Sequence, residues 1–174
     1  MTKKIKRIAL IGPESTGKTT LCEQLAAHYK TVWVSEYARG YVEKFNRPYT
    51  IQDVELCAKR QLEQEDKFLQ RANQYIFSDT ELIVSKVWSE DVFKSCPDWM
   101  EKEILKRKYD LYLLTFPDLP FKEDPVRENQ HRRAYFFELY QSELERRNFS
   151  FEIVTGIGEV RLENALKAIQ NKKF

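Results

Sequence analysis

Ile8-Ala9-Leu10-Ile11-Gly12-Pro13-Glu14-Ser15-Thr16-Gly17-Lys18-Thr19-Thr20 is the stretch on which the fold of this chain turns. Its four leading apolar residues show no alternation, which suits a strand buried on both faces. Two glycines, a lysine and a hydroxyl residue follow at the spacing of a phosphate-binding loop, with a helical pattern behind them. The glycines let the backbone curl until successive N–H groups point inward at a β-phosphate, and the next helix adds the positive end of its dipole. Lys18 is then placed to reach the β- and γ-phosphates, and the Thr19 hydroxyl to ligate Mg²⁺. The stretch predicts a bound nucleoside triphosphate, held by Gly12, Glu14, Ser15, Thr16, Gly17, Lys18, Thr19 and Thr20.

Outward from this loop, apolar runs suited to parallel strands alternate with longer helix-period segments, the pattern of an α/β sheet covered on both faces. Strands are expected at Arg7–Ile11, Val32–Ser35, Tyr75–Ser78, Leu111–Thr115 and Phe151–Thr155. Helices are expected at Lys18–Tyr29, Asp53–Gln74, Lys86–Lys94, Glu101–Lys108, His131–Arg147 and Val160–Asn171. The expected architecture is a three-layer α/β/α P-loop NTPase fold with a five-stranded parallel sheet, right-handed crossovers and a helical lid over about residues 116–133. Within the lid, Pro117, Pro120 and Pro125 exclude a central strand and a regular helix, so residues 116–129 read as a long loop.

In an open parallel sheet the carboxyl ends of the strands line one crevice, so the residues just after each strand are where chemistry is sought. Ser35-Glu36-Tyr37-Ala38-Arg39 follows the second strand and Asp79-Thr80-Glu81 ends the third. Phosphoryl transfer to an alcohol needs one carboxylate near the attacking hydroxyl and another acid that helps hold Mg²⁺. Glu36 takes the base or hydroxyl-orienting role in this reading. Asp79, which closes an apolar strand in the Walker-B manner, goes to the metal. The two roles are interchangeable at this point, and either acid would otherwise be a strand-end carboxylate or a helix N-cap.

Arg127-Glu128-Asn129-Gln130-His131-Arg132-Arg133 sets three arginines at a helix start, where cations oppose the dipole. A lid closing over the nucleotide accounts for them, with Arg127 and Arg132 preferred on the phosphates and Arg133 third. The other reading is a solvated basic turn paired with Glu123, Asp124 and Glu128. Gly156 and Gly158 make a flexible loop after the fifth strand, expected to pack near the nucleotide base. Tyr37, Tyr41 and Trp88 are candidates to stack on an acceptor ring, and Arg39 to hold ribose hydroxyls or phosphate. His28 and His131 lack a second histidine at metal-binding spacing and read as helix residues without a catalytic role.

Composition narrows the partners. With 174 residues the chain is long enough for one domain with a substantial core. Lysine plus arginine (29) nearly balances aspartate plus glutamate (27), so charge gives no case for a nucleic-acid or membrane partner, and a small molecule is expected. Cys22, Cys57 and Cys96 are odd in number and lack C-x-x-C spacing, against a disulfide framework and a zinc site. A reducing cytoplasmic setting fits, and a homo-oligomer is left open. No apolar segment approaches the roughly 18 residues that span a bilayer. A GTPase is disfavoured because Asn171-Lys172-Lys173 continues to Phe174 and not to the aspartate of a base-recognition segment.

Taken together, several stretches resemble the ribosylnicotinamide kinase domain of the NadR-type NAD-biosynthesis proteins. They are Gly12–Leu21, Val34-Ser35-Glu36-Tyr37-Ala38-Arg39, Ser78-Asp79-Thr80 with Trp88 downstream, Asp110–Leu114, Asp124-Pro125-Val126-Arg127, and Gly156-Ile157-Gly158 with Arg161. The similarity runs essentially end to end. The phosphate-binding loop is generic, whereas Pro-Glu-Ser inside it combined with Ser-Glu-Tyr-Ala-Arg is more specific. The resemblance implies an NMP-kinase-like sheet, ATP and Mg²⁺ as cosubstrates, and transfer of the γ-phosphoryl group to the 5′-hydroxyl of nicotinamide riboside. The helix-turn-helix and adenylyltransferase segments of the full-length pattern are not seen here, so repressor activity and the next step to NAD are not expected. Two rivals stay open: a kinase of another nucleoside or nucleoside monophosphate, and a P-loop ATPase switch with no small acceptor.

Overall fold

Five parallel strands lie in the order β2-β3-β1-β4-β5, which puts the strand feeding the phosphate-binding loop at the centre of the sheet. The computed structural model describes residues 4–122 and 130–174. In chain order the elements are β1 (Lys6–Ile11), α1 (Lys18–His28), β2 (Trp33–Val34), α2 (Tyr37–Val42), α3 (Ile51–Leu69), β3 (Tyr75–Asp79), α4 (Leu82–Phe93) and α5 (Asp98–Lys106). They continue with β4 (Leu111–Thr115), a 3₁₀ turn (Gln130–Arg132), α6 (Arg133–Arg146), β5 (Phe151–Val154) and α7 (Glu159–Asn171).

The pleat of the central strand sorts its side chains into two cores. Ile8 and Leu10 pack with Leu21, Leu25, Phe77, Leu113, Ala165 and Ile169 beneath α1 and α7. Ala9 and Ile11 point the other way, into a core with Val54, Ile83, Met100, Tyr112, Phe137 and Leu144 from α3 to α6 and β4. Both sets in β1 are fully buried, which is why this strand reads as a continuous apolar run. Only the β1-to-β2 connection steps against the strand order, and its helix α1 lies on the face opposite α3 to α6, whose connections step the other way. Right-handed crossovers require that division.

Where element ends differ from the sequence reading, local hydrogen bonds account for it. Helix α3 starts at Ile51 because Thr50 and Asp53 form a capping box: the Asp53 carboxylate accepts from the Thr50 N–H at 2.7 Å, and the Thr50 hydroxyl accepts from the Asp53 N–H. It stops at Leu69, short of Gln74, and Asn73 N–H donates instead to the Thr31 hydroxyl at 2.9 Å. Helix α4 starts at Leu82, four residues before Lys86, because the Glu81 carboxylate accepts from Ile83 N–H at 2.8 Å. Helix α2 was absent from the expectation; six residues containing Gly40 are too few to show a helical period.

Glu81 is 3% exposed, and burial pushes its carboxyl up to about 8, with the Glu65 charge adding to the rise. Between its ordinary 4.5 and about 8 the folded chain keeps a proton that the unfolded chain has released. Its contribution to stability is therefore complete below about 4.5 and is lost as pH rises through about 8. Glu81→Gln keeps an acceptor for the α4 cap and removes this titration. Urea unfolding at stepped pH should show a flatter decline across that window, by a slope of at most about 1.4 kcal/mol per pH unit.

Candidate functional site

Every strand of the sheet delivers its carboxyl end to one rim, and the phosphate-binding loop, Glu36 and Asp79 lie there. Gly12 leaves β1 at φ +145, and a Cβ on it would stand 2.3 Å from Thr115 Oγ1 and 2.8 Å from the Thr115 carbonyl oxygen. Only glycine lets the loop pass so close to the end of β4. Thr16, 1% exposed, fastens the loop from inside: its hydroxyl donates to the Pro13 carbonyl at 2.8 Å and lies 2.6 Å from Thr115 Oγ1. Gly17 caps α1 in the left-handed region at φ +75, so the helix N-terminus opens onto the loop. Lys18 bends back along it and donates from Nζ to the carbonyls of Gly12 and Pro13 at 2.9 and 2.8 Å.

Asp79 ends β3 in register with Leu10 of β1, which brings its carboxylate beside the start of α1. The Thr19 hydroxyl donates to Asp79 Oδ2 at 2.5 Å. Asp79 is 1% exposed, and burial pushes its carboxyl up against the opposing pull of Lys18, Thr19 and Arg39. Its other oxygen, Oδ1, is buried without a hydrogen-bond partner. A buried carboxylate oxygen left unsatisfied beside a threonine hydroxyl is an all-oxygen donor set of the kind Mg²⁺ takes, so these residues fit that ion. No cluster of three or more His, Cys, Asp or Glu that could hold a metal occurs among the described residues.

Glu36 stands at the N-cap of α2, just past the end of β2, and its backbone is extended. Burial pushes its carboxyl up to about 7; Asp79 and Glu14 raise it, and Lys18 and Arg39 pull it down. Glu36, Asp79, Lys18 and Glu14 therefore share one electrostatic neighbourhood. Arg39 forms an ion pair with Glu43 at 3.4 Å, and its charge still reaches both acids. Tyr37 stacks on Tyr41 with ring centroids 6.0 Å apart, and Tyr41 donates to Asp53 Oδ1 at 3.1 Å. Trp88, partly buried on α4, donates from Nε1 to the Tyr49 hydroxyl at 3.0 Å, the two rings meeting edge-on. Glu36, Asp79 and Lys18 are thus brought together, while Trp88 is packed into the aromatic layer with Tyr49.

The arginines sort differently from the expectation. Arg127 lies outside the described residues. Arg132, preferred from sequence, makes two hydrogen bonds to Asp91 of α4, at 2.8 and 2.5 Å, and lies over the rings of Tyr135 and Phe136. Arg133 is the one that reaches the phosphate-binding loop: it donates to the Leu119 carbonyl at 2.8 Å and to the Ser15 carbonyl at 3.2 Å. Its Nε is buried without a hydrogen-bond partner among the described residues, and the Asp118 charge acts on it. The sequence ranked Arg133 third because a helix start says nothing about which of two adjacent side chains turns inward.

Further residues join the site through contacts far apart in sequence. The Ser15 hydroxyl exchanges hydrogen bonds with the backbone of Lys122, at 3.3 Å to its carbonyl and 3.2 Å from its N–H. Asp118 accepts from Gly156 N–H at 2.6 Å and pairs with Arg161, which is 4% exposed and also donates to the Gly156 carbonyl at 2.7 Å. The Gly156–Gly158 loop is thereby tied to the segment after β4. A Cβ at Gly17 would stand 3.0 Å from Leu119 Cδ1 of the same segment.

A family model described as an AAA domain matches residues 7–161. The trifunctional NAD biosynthesis/regulator protein NadR of Escherichia coli (strain K12) is 25% identical over 155 residues, which cover 84% of this chain and 37% of that protein. A crystal structure of NadR protein in complex with NR superposes with a TM-score of 0.85 at 26% identity, covering 97% of this chain and 51% of the solved one. The chain thus spans well under two thirds of the length of both. Thymidylate kinase from Ehrlichia chaffeensis shares the fold, with a TM-score of 0.62 at 13% identity over 95% of this chain and 98% of that one.

Proposed function

Since the chain belongs to the AAA-domain family, we propose that it is a P-loop nucleoside kinase that transfers the γ-phosphoryl group of ATP to the 5′-hydroxyl of nicotinamide riboside. The observation that carries the reading is the meeting, at one sheet rim, of a phosphate-binding loop with two acids in unlike settings. Asp79 is bonded to Thr19, and Glu36 is raised to about 7. A carboxylate in that place serves an acceptor hydroxyl or an attacking water, and the acceptor panel below separates the two. The likeness to NadR protein solved with NR supports a pyridine riboside as acceptor.

In the proposed reaction the loop N–H groups and Lys18 cradle the triphosphate. Thr19 and Asp79 would hold Mg²⁺, which neutralises charge on the phosphate oxygens when bound. Glu36 accepts the proton of the ribose hydroxyl as its oxygen bonds to the γ-phosphorus and the bond to the ADP oxygen breaks. A base at about 7 is well matched to this step near neutral pH. Arg39 and Tyr37 flank Glu36 and serve the riboside, and Trp88 lies farther along, packed edge-on against Tyr49. Gly156 and Gly158 lie on the side of the adenine.

Arg133 faces the phosphates in this proposal, because it is the arginine already seated on Ser15. Arg133→Ala should lower turnover by about 10- to 10²-fold, through loss of alignment and of a cation near the triphosphate. Arg132→Ala should stay within a few-fold of the wild type, since its partner is Asp91. Steady-state kinetics on both variants check the assignment, and the reverse ranking would return the role to Arg132.

The function itself is tested by ADP formation with Mg·ATP and a panel of acceptors. The panel holds nicotinamide riboside, nicotinic acid riboside, the common nucleosides and their monophosphates. Strong stimulation by a pyridine riboside alone supports the proposal. Stimulation by another nucleoside or a monophosphate moves the acceptor, and acceptor-independent turnover would leave an ATPase.

A further inference from the structure

Glu36 is the N-cap residue of α2, yet its side chain makes no capping hydrogen bond. A helix start presents N–H groups that need acceptors, and that of its first residue is out of line for the N-cap side chain. Here the acceptor comes from another helix. Gln61 of α3, 6% exposed, accepts from the Tyr37 N–H through Oε1 at 2.8 Å, and its Nε2 points to the Asp79 carbonyl at 3.5 Å. One turn along the same helix, Gln64 donates from Nε2 to the Ser35 carbonyl at 3.3 Å. The backbone groups on both sides of Glu36 are thus held by two glutamines of α3.

We infer that Gln61, assisted by Gln64, is a positioning residue that fixes the backbone on both sides of Glu36 and so holds its carboxylate toward the crevice. An amide is suited to this place, because one side chain must accept from Tyr37 and donate toward Asp79 at the same time. It links the ends of β2 and β3 that carry the two acids. With Gln61 removed, the Tyr37 N–H loses its acceptor, and the backbone that carries Glu36 loses its tie to the end of β3. This inference rests on Glu36 serving as the base proposed above.

A double-mutant cycle separates this role from a merely structural one. Gln61→Leu should lower acceptor-dependent kcat by about 10- to 10²-fold, with the KM for ATP within a few-fold of the wild type. In a Glu36→Gln background the same substitution should change kcat less than about threefold, because the group it positions is already gone. An equal drop in both backgrounds, or a KM for ATP that rises in step, would overturn the inference. If Gln61→Leu does not fold, Gln64→Ala on the partly exposed flank must show the same dependence on Glu36 with a smaller drop, and independence there overturns it too. Wild-type enzyme that no acceptor stimulates overturns both readings; stimulation without coupling between Gln61 and Glu36 overturns this one alone.

Discussion

Glu36→Gln will bind Mg·ATP nearly as the wild type does and form ADP with the riboside acceptor about 10²- to 10⁴-fold more slowly. The substitution keeps the size and the hydrogen-bonding reach of the side chain and removes its basicity. The hydrogen bonds that hold Lys18 and Thr16 do not involve Glu36: Lys18 is bonded to Gly12 and Pro13, and Thr16 to Pro13 and Thr115. Equilibrium nucleotide binding and steady-state turnover, measured side by side, check the split. Near-wild-type turnover would remove Glu36 as the base and transfer the role to Asp79.

Lys18→Ala has the second large expected effect, and it should appear in both quantities. The ammonium group acts on the bound triphosphate and on the charge that develops as the phosphoryl group moves, so ground and transition states both lose an interaction. Turnover should fall by about 10²- to 10³-fold, and nucleotide affinity should fall with it. The side chain is already held along the loop by two carbonyls, at 2.9 and 2.8 Å, so the wild type spends little to order it. An unchanged nucleotide affinity in this variant would mean that the triphosphate is gripped elsewhere.

Much of this arrangement was legible in the sequence because short-range chemistry determines it. The phosphate-binding loop needs two glycines and a lysine at fixed spacing, and the strands β1, β3 and β4 are short, largely apolar runs of strand length. Glu36 and Asp79 could be nominated from sequence because both sit at strand ends, on the one rim where such a sheet keeps its chemistry. Helix α2 was missed, and so were the contributions of Gln61, Gln64 and Asp118, because each depends on a partner distant in sequence. Asp118 meets Gly156 across 38 positions, and Gln61 meets Tyr37 across 24. The contacts of Arg132 and Arg133 were illegible for a related reason: Asp91, which engages the first, lies 41 residues away.

The seven residues that leave β4 touch both glycine-bearing turns, Leu119 against Gly17 and Asp118 against Gly156. That segment works as a splint between the phosphate-binding loop and the turn after β5. An engineer who rebuilt that turn would disturb the phosphate-binding loop as well, unless Asp118 and Arg161 were carried along as a matched pair.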